Sequence, residues 1–335
     1  MRSYQYFPYL EKDGFEITIK PFFEDEYLED LYNGKKNMGS VVKSYFKRFL
    51  VLFSIGQFDR VVIEKEIFPY LPAFSERILN WMGIKYIVDY DDAIFHNYDQ
   101  SSNPYFKFFL KKKIDKVMRY SDVVVAGNSY LAAHAERAGA KQIDIIPTVI
   151  DLNRYPVREK NDSPSFILGW IGTKSTFEKH LAPCKDWMIK LLAKNPDMEL
   201  HIVGIPEDKG WGNQIKWIPW KEDTEVLEIG KMDVGIMPLQ DSLWERGKCA
   251  YKLIQYAACG IPGIASDVGM NREVTLPNHT GFLANTTDEW LNLINELKNN
   301  PQKKKELGHN ARKLVEEKYC LQVTVQKWIS LLCGN

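Results

Sequence analysis

Short apolar runs alternate with helical segments along almost the whole chain, and that alternation leaves few folds open. Runs of four to eight apolar residues without polar alternation are strands buried on both faces, as in parallel sheets. Arg60–Glu64, Lys85–Asp89 and Asp122–Ala126 hold shorter runs of three or four apolar residues, and Gln142–Ile146 is read as a strand with them. Helical stretches separate them: Pro69–Met82, Pro104–Tyr120 and a segment from Ser129. The pattern restarts at Phe166–Ile171 and continues through Met198–Val203, Ile215–Trp220, Val234–Met237, Pro262–Ala265 and Gly281–Ala284. Strand–helix repetition of this kind predicts parallel, doubly wound sheets. With 335 residues, there is chain enough for two such domains with full cores.

Residues 147–164 hold three prolines, Asn, Asp and Ser with little periodicity and are expected to form the linker. The expected domains are therefore 1–150 and 151–318, followed by a last helix in 319–335. Arg2–Lys12 is predicted helical with a break at Pro8, and Phe15–Lys20 alternates as a strand would. The order is unusual, since an α/β domain normally opens with a strand. Thr286 and Glu289 form a capping-box pattern ahead of a helix, and Pro301 is placed to open the next one.

Within the second half, Glu245–Gly269 is the densest stretch chemically. A helix expected from about Lys248 ends at Gly260, where glycine accommodates a left-handed cap, and Pro262 prevents continuation. On an ideal helix Lys248, Lys252 and Gln255 share one side within about 60°. Leu253, Ile254 and Ala257 lie opposite. The stripe is either a solvated face or, with Arg246 beside the helix N-terminus, an anion site suited to a diphosphate. Gly172-Thr173-Lys174-Ser-Thr176 is a glycine-bearing turn between strand and helix, again either an ordinary turn or a phosphate loop.

The 245–269 stretch resembles the donor-site signature of the group 1 family of retaining glycosyltransferases. That signature has Glu, seven residues and Glu, then a small-residue run and Gly-Ile/Leu-Pro. Gln255 stands where the second Glu would be; Gly247 stands at the first unless Glu245 substitutes through a two-residue shift. The resemblance implies the GT-B fold, α/β, with two doubly wound Rossmann-like domains facing a cleft. It also implies a first strand missing ahead of Arg2–Leu10, and a last helix crossing back onto the first domain.

It further implies transfer of a sugar from a nucleotide-sugar to an acceptor hydroxyl on a glycan or lipid-linked carbohydrate, with retention. On this view Lys248, Arg246, Lys252, Gly172, Thr173 and Lys174 hold the diphosphate. Gln255 and Glu245 hold ribose and sugar, and Ile218 lies near the base. No cofactor beyond the donor is implied. Two alternatives remain: a nucleotide-sugar epimerase on the same architecture, or a non-catalytic relative that only binds the donor.

Asp89-Tyr-Asp91-Asp92 follows a strand, where α/β sheets place ligands. In the family this position approaches the transferred sugar or acceptor, which makes Asp91 and Asp92 the catalytic candidates. Its Asp-x-Asp pattern would also suit a hard cation, and ordinary turn or capping acids are an equal reading. With the resemblance pointing to metal-independent transfer, no metal site is expected. His96, nearby, is read as a surface or capping residue.

Basic and acidic residues balance at 44 each, so no global field draws the chain to nucleic acid. Charge is nevertheless clustered. Glu24–Asp30 holds five acids; Lys35–Phe53 and Pro104–Tyr120 each carry net charge of about +5, interleaved with large aromatics. These two stretches suit an anionic membrane surface, or else supply core rings and solvated lysines. Five scattered cysteines without a Cys-x-x-Cys pair suggest reduced thiols, hence a cytoplasmic protein, peripheral on the inner face of the membrane.

Overall fold

The computed structural model describes residues 2–24, 27, 37–157 and 165–334. They form two compact units, Tyr6–Ile146 and a C-terminal unit from Pro147 onward that also includes the N-terminal residues up to Gln5.

The N-terminal unit has four strands, β1 (Val61–Glu64), β2 (Tyr86–Tyr90), β3 (Val123–Ala126) and β4 (Ile143–Ile145), parallel and in the order β1-β2-β3-β4. Every residue of β2 and β3 is buried, as continuous apolar runs require. Phe15–Lys20 is not a strand: Ile19 is exposed and, among the described residues, no strand pairs with the segment. Alternation alone supplied no partner edge there. The expected Pro69–Met82 helix shortens to Phe74–Trp81, because Tyr70 takes a left-handed conformation (φ 57°) that a helix cannot include.

Pro104–Tyr120 is two helices, Pro104–Leu110 and Lys113–Tyr120. Only the second is core, burying Lys113, Ile114, Val117 and Met118. Lys113 is tolerated inside because its ammonium pairs with Glu66 and donates to the Phe68 carbonyl. Of the acidic stretch 24–30, only Glu24 and Tyr27 fall among the described residues.

The C-terminal unit carries six parallel strands: β5 (Phe166–Ile171), β6 (Met198–Val203), β7 (Ile215–Ile218), β8 (Val234–Met237), β9 (Gly263–Ser266) and β10 (Gly281–Ala284). Their order is β10-β9-β8-β5-β6-β7. From β5 the chain winds one way to β6 and β7, then returns to β8 on the other edge of β5 and winds outward again. Alternate residues of β5 feed opposite cores: Ile167 and Ile171 join the helix Tyr251–Ala258, while Phe166, Leu168 and Trp170 join Leu191 and Leu192. Each such side chain contributes about 1.5–3 kcal/mol by burial.

The expected linker departs from plan. Val149, Ile150 and Tyr155 are buried, and Ile150 makes a parallel bridge to Cys320. Residues 147–157 are therefore part of the C-terminal unit; residues 158–164 lie outside the described set. The capping box at Thr286 and Glu289 forms as the pattern requires. The last helix, Leu321–Cys333, packs on Pro301–Lys318 and groups with the C-terminal unit. Among the described residues, no helix is long and apolar enough to cross a membrane.

Candidate functional site

Where a doubly wound sheet reverses direction, the loops leaving its two neighbouring strands diverge and open a crevice at the carboxyl ends. In the C-terminal unit that point lies between β5 and β8. The loops after these two strands begin at Gly172 and Pro238, and they carry most of the singled-out residues.

After β5, Gly172 N–H donates to Val203 O at 3.0 Å, and Gly204 approaches so closely that a Cβ there would sit 2.0 Å from Gly172 O. A Cβ on residue 172 would meet Lys252 Nζ and the Trp170 ring, both at 2.7 Å. Glycine at 172 is thus what lets the lysine approach. Thr173 caps the following turn through Thr176 N–H, and Lys174 is exposed. The chain continues into a π-helical turn, Phe177–Leu181, a rare geometry found mostly at functional sites.

That turn aims Lys179 and His180 at Glu245. Glu245 is buried; it accepts from Lys179 and from Ser242 Oγ, and lies 3.4 Å from His180 Nε2 without hydrogen-bond geometry. Burial opposes its ionisation, but the Lys179 and Ser242 hydrogen bonds outweigh this and hold its carboxyl below the usual range. His180 Nδ1 faces Gln240 N–H at 3.4 Å. Burial, opposed by Glu245 and assisted by the nearby charges of Lys179, Lys248 and Lys252, pushes the imidazole down to about 4. It is neutral at physiological pH.

The helix begins at Tyr251, three residues later than expected, because Ala250 takes a left-handed conformation (φ 51°). Lys248 consequently lies in the preceding loop, half-buried, and the one-sided stripe of Lys248, Lys252 and Gln255 does not exist. Lys252 points toward Gly172. Its ammonium sits 4.2 Å from the Trp170 ring centroid, and burial, reinforced by Lys248, pulls it down to about 7. Gln255 is buried on another side: Nε2 donates to Tyr155 Oη (3.1 Å), Tyr155 donates to Glu225 (2.8 Å), and Trp220 Nε1 donates to the other Glu225 oxygen (2.6 Å). Ile218, at the end of β7, is partly buried against the same core as Tyr155. Arg246 makes a two-point ion pair with Asp241 at 2.7 and 2.8 Å. The helix ends at Ala258 and is followed, as its sequence indicated, by left-handed Gly260 (φ 72°).

In the N-terminal unit, Asp89 is buried at the end of β2, and Asp91 lies 3.4 Å from Lys65 Nζ. Lys65 is held at φ 69° just past β1; burial disfavours its charge, but Asp91 and Asp92 more than compensate and raise it. His96 is buried, not on the surface as expected, with both ring nitrogens engaged, by Asp99 at 2.8 Å and Tyr130 at 2.9 Å. Among the described residues no group of three His, Cys, Asp or Glu side chains is placed to hold a metal ion. Lys179, His180, Ser242 and Lys65 were not anticipated. For the first two, the signal was available: they lie one to two helical turns past the Gly172 loop.

Comparison with known proteins bears on this geometry. Residues 177–314 match the family model described as glycosyl transferases group 1. No curated protein matches in sequence. Among solved structures, a glycosyltransferase from Rickettsia africae superposes with TM-score 0.69 at 16% identity, over 99% of this chain and 93% of that one. Sucrose-phosphate synthase from Thermosynechococcus elongatus gives TM-score 0.64 at 14% identity, over 88% and 79%. Anabaena HepE, solved in complex with UDP-glucose, gives 0.63 at 16% identity, over 90% and 84%. At such identities the likeness speaks for the fold, and the family match supplies the chemistry class. Two parallel α/β units with this sheet order give the chain the GT-B glycosyltransferase fold, and the switch-point site lies inside the segment that matches the group 1 family model.

Proposed function

We propose that the chain transfers a hexosyl group from a nucleotide-sugar to an acceptor hydroxyl with retention, in glycan or glycolipid assembly, and without a metal. The observation that carries this reading is Lys252, a lysine of depressed basicity held at the switch-point loop with Lys248 nearby. A half-buried lysine whose ammonium has an aromatic face and, among the described residues, no carboxylate partner gains most when an anion arrives. A nucleoside diphosphate is the leaving group of this family's reaction, and an anion of the kind that such loops bind.

In the proposed step the anomeric carbon–oxygen bond to the diphosphate breaks and the electron pair leaves with the phosphate. Lys252 and Lys248 neutralise the charge that develops, and Lys174 adds a further cation. Gly172 and Thr173 bring backbone close to the phosphates. The acceptor oxygen bonds to the anomeric carbon from the same face, and its proton passes to a leaving phosphate oxygen. Glu245, fixed by Lys179 and Ser242, is the carboxylate proposed to hold the sugar. Asp91 and Asp92 are proposed to position sugar or acceptor. Gln255, near Tyr155, takes the ribose side, and Ile218 the base side. Arg246 contributes less than a bare guanidinium would, because Asp241 already neutralises it.

The nearest support for the donor class is the HepE complex with UDP-glucose. Five unbridged cysteines support a reducing compartment, and the cytoplasm is the proposed location. The alternative of a non-catalytic binder is favoured by Gln255, whose amide is already engaged by Tyr155. One experiment separates the readings: incubation with a nucleotide-sugar panel, with and without acceptor glycans. Nucleoside diphosphate release that depends on acceptor, with the donor's anomeric configuration kept in the product by NMR, is expected. Conversion of donor without acceptor would mean an epimerase; binding without turnover would mean a non-catalytic relative.

A further inference from the structure

The helix Met38–Leu52 faces the wrong way for a globular domain. At 100° per residue Met38, Val42, Phe46, Phe49 and Phe53, the last just past its end, fall within about 80° of one another. This stripe is exposed along its whole length: Phe46 by 62% and Phe53 by 76%. The single buried residue of the helix is Ser44, on the opposite side. The core-facing side carries Val41, Ser44, Tyr45, Val51 and Leu52, and the solvent-facing side is aromatic.

A second helix repeats the arrangement. In Pro104–Leu110 only Leu110 is buried, while Tyr105, Phe108 and Phe109 are exposed. The two helices border one segment. Tyr45 stacks on Phe68 at 5.9 Å and donates to Pro69 O, and Tyr70 packs on Phe106 at 5.3 Å. Lysines edge both stripes: Lys43 and Lys47 on the first, Lys107, Lys111 and Lys112 on the second, all exposed. Lys47 pairs with exposed Glu24. No acid occurs in 37–53 or 104–112.

We propose that this surface of the N-terminal unit docks on an anionic lipid bilayer. Rings at the level of the acyl boundary with ammonium groups among the headgroups is the arrangement of interfacial amphipathic helices. The charge pattern decides against a second copy of the chain. A two-fold contact would set lysine-edged faces of net positive charge against each other, whereas an anionic headgroup layer neutralises them. The whole chain is neutral, so the attraction is local to these helices. The proposal does not depend on the donor site, which lies in the other unit.

The test is co-sedimentation of the intact chain with phosphatidylcholine vesicles, with and without about 30% phosphatidylglycerol. Two variants are compared, F46S/F49S/F53S and K43A/K107A/K111A/K112A. All seven side chains are exposed, so melting temperatures are expected to stay at the wild-type value. A control, Leu227→Ser, alters an exposed residue of the C-terminal unit. Expected are binding to anionic but not neutral vesicles at low salt, and a more than tenfold loss of partitioning in the lysine variant. Binding should also weaken strongly near 1 M salt, where the screening length is about 3 Å. The phenylalanine variant should lose at least tenfold, and the control nothing. Three results would overturn the proposal. They are wild type that stays in the supernatant at low salt, variants that partition like wild type, and a dimer in light scattering that F46S/F49S/F53S converts to monomer.

Discussion

The ammonium of Lys252 lies 4.2 Å from the centre of the Trp170 ring, in the space that the missing Cβ of Gly172 leaves open. A cation kept there without a carboxylate partner among the described residues is held at a cost to stability. Lys252→Met should therefore melt higher than wild type, by about 1–2 kcal/mol at neutral pH. It should bind nucleoside diphosphates at least tenfold more weakly, since a charge-assisted hydrogen bond contributes about 1.5–3 kcal/mol. The sign follows from linkage. The unfolded lysine titrates near 10.5 and the folded one at about 7, so wild-type stability rises with pH across that window. The variant's profile should be flatter there. Urea melts and calorimetry on both proteins measure these quantities; a less stable variant with unchanged affinity would remove Lys252 from the donor site.

Donor binding should take up protons. An anion beside Lys252 raises its basicity again, so above pH 7 each binding event draws up to one proton from solution. Affinity should fall as pH climbs from 7 to 9, by at most about tenfold per unit. Calorimetric titrations with UDP in buffers of differing ionisation enthalpy give the proton count directly. A count of zero at pH 8 would show that the diphosphate does not reach this ammonium.

Acid should destabilise the C-terminal unit in a defined window. The His180 imidazole ordinarily titrates near 6.5 but at about 4 in the fold, so between these values the unfolded chain holds the extra proton. Stability should drop by roughly 2–3 kcal/mol as pH falls from 6.5 to 4. Protonation of Glu245, whose ionised form its partners favour, adds a loss in the same direction at still lower pH. His180→Asn should flatten the pH 4–6.5 limb, measured as unfolding free energy against pH.

Gln255→Glu should restore the family's residue and yet harm this chain. Gln255 Nε2 donates to Tyr155, whose own proton goes to Glu225. A carboxylate at 255 cannot donate, and it would face a second buried carboxylate across one phenol. A loss of about 1–3 kcal/mol is expected in Gln255→Glu. The double change with Glu225→Gln should recover much of it, because one donor and one carboxylate would again flank the phenol. Thermal melts of the four proteins form the cycle.

Transfer activity should survive EDTA. The cations proposed to receive the leaving group are Lys252, Lys248 and Lys174, not a bound ion. Loss of turnover on chelation, restored by manganese, would instead promote Asp89, Asp91 and Asp92 to ligands.

Much of the architecture was legible because it rests on local pattern. Continuous apolar runs marked β2, β3 and β5, and Gly260 and Pro262 marked the end of a helix. Phe15–Lys20 misled because alternation specifies a strand only where a neighbouring edge exists to receive it. The site was less legible, since left-handed Ala250 shifted the helix start and sent Gln255 inward. Nothing in an alanine announces that conformation. Lys179 and His180 came to Glu245 through a π-helical turn that a 3.6-residue periodicity does not describe.

The sheet order also sets a timetable for synthesis. β5 is the first strand of its sheet to leave the ribosome, yet its partner β8 does not exist until Val234–Met237 has been made. Until then one backbone edge of Phe-Ile-Leu-Gly-Trp-Ile stands unpaired, an apolar segment of the kind that templates aggregation. Lys252, the proposed donor contact, emerges later still, so a ribosome-bound chain cut short of it is expected not to hold donor. Nucleotide-sugar can stabilise this protein only after both halves of the sheet are present, which makes ligand-dependent solubility during expression a report on completed assembly.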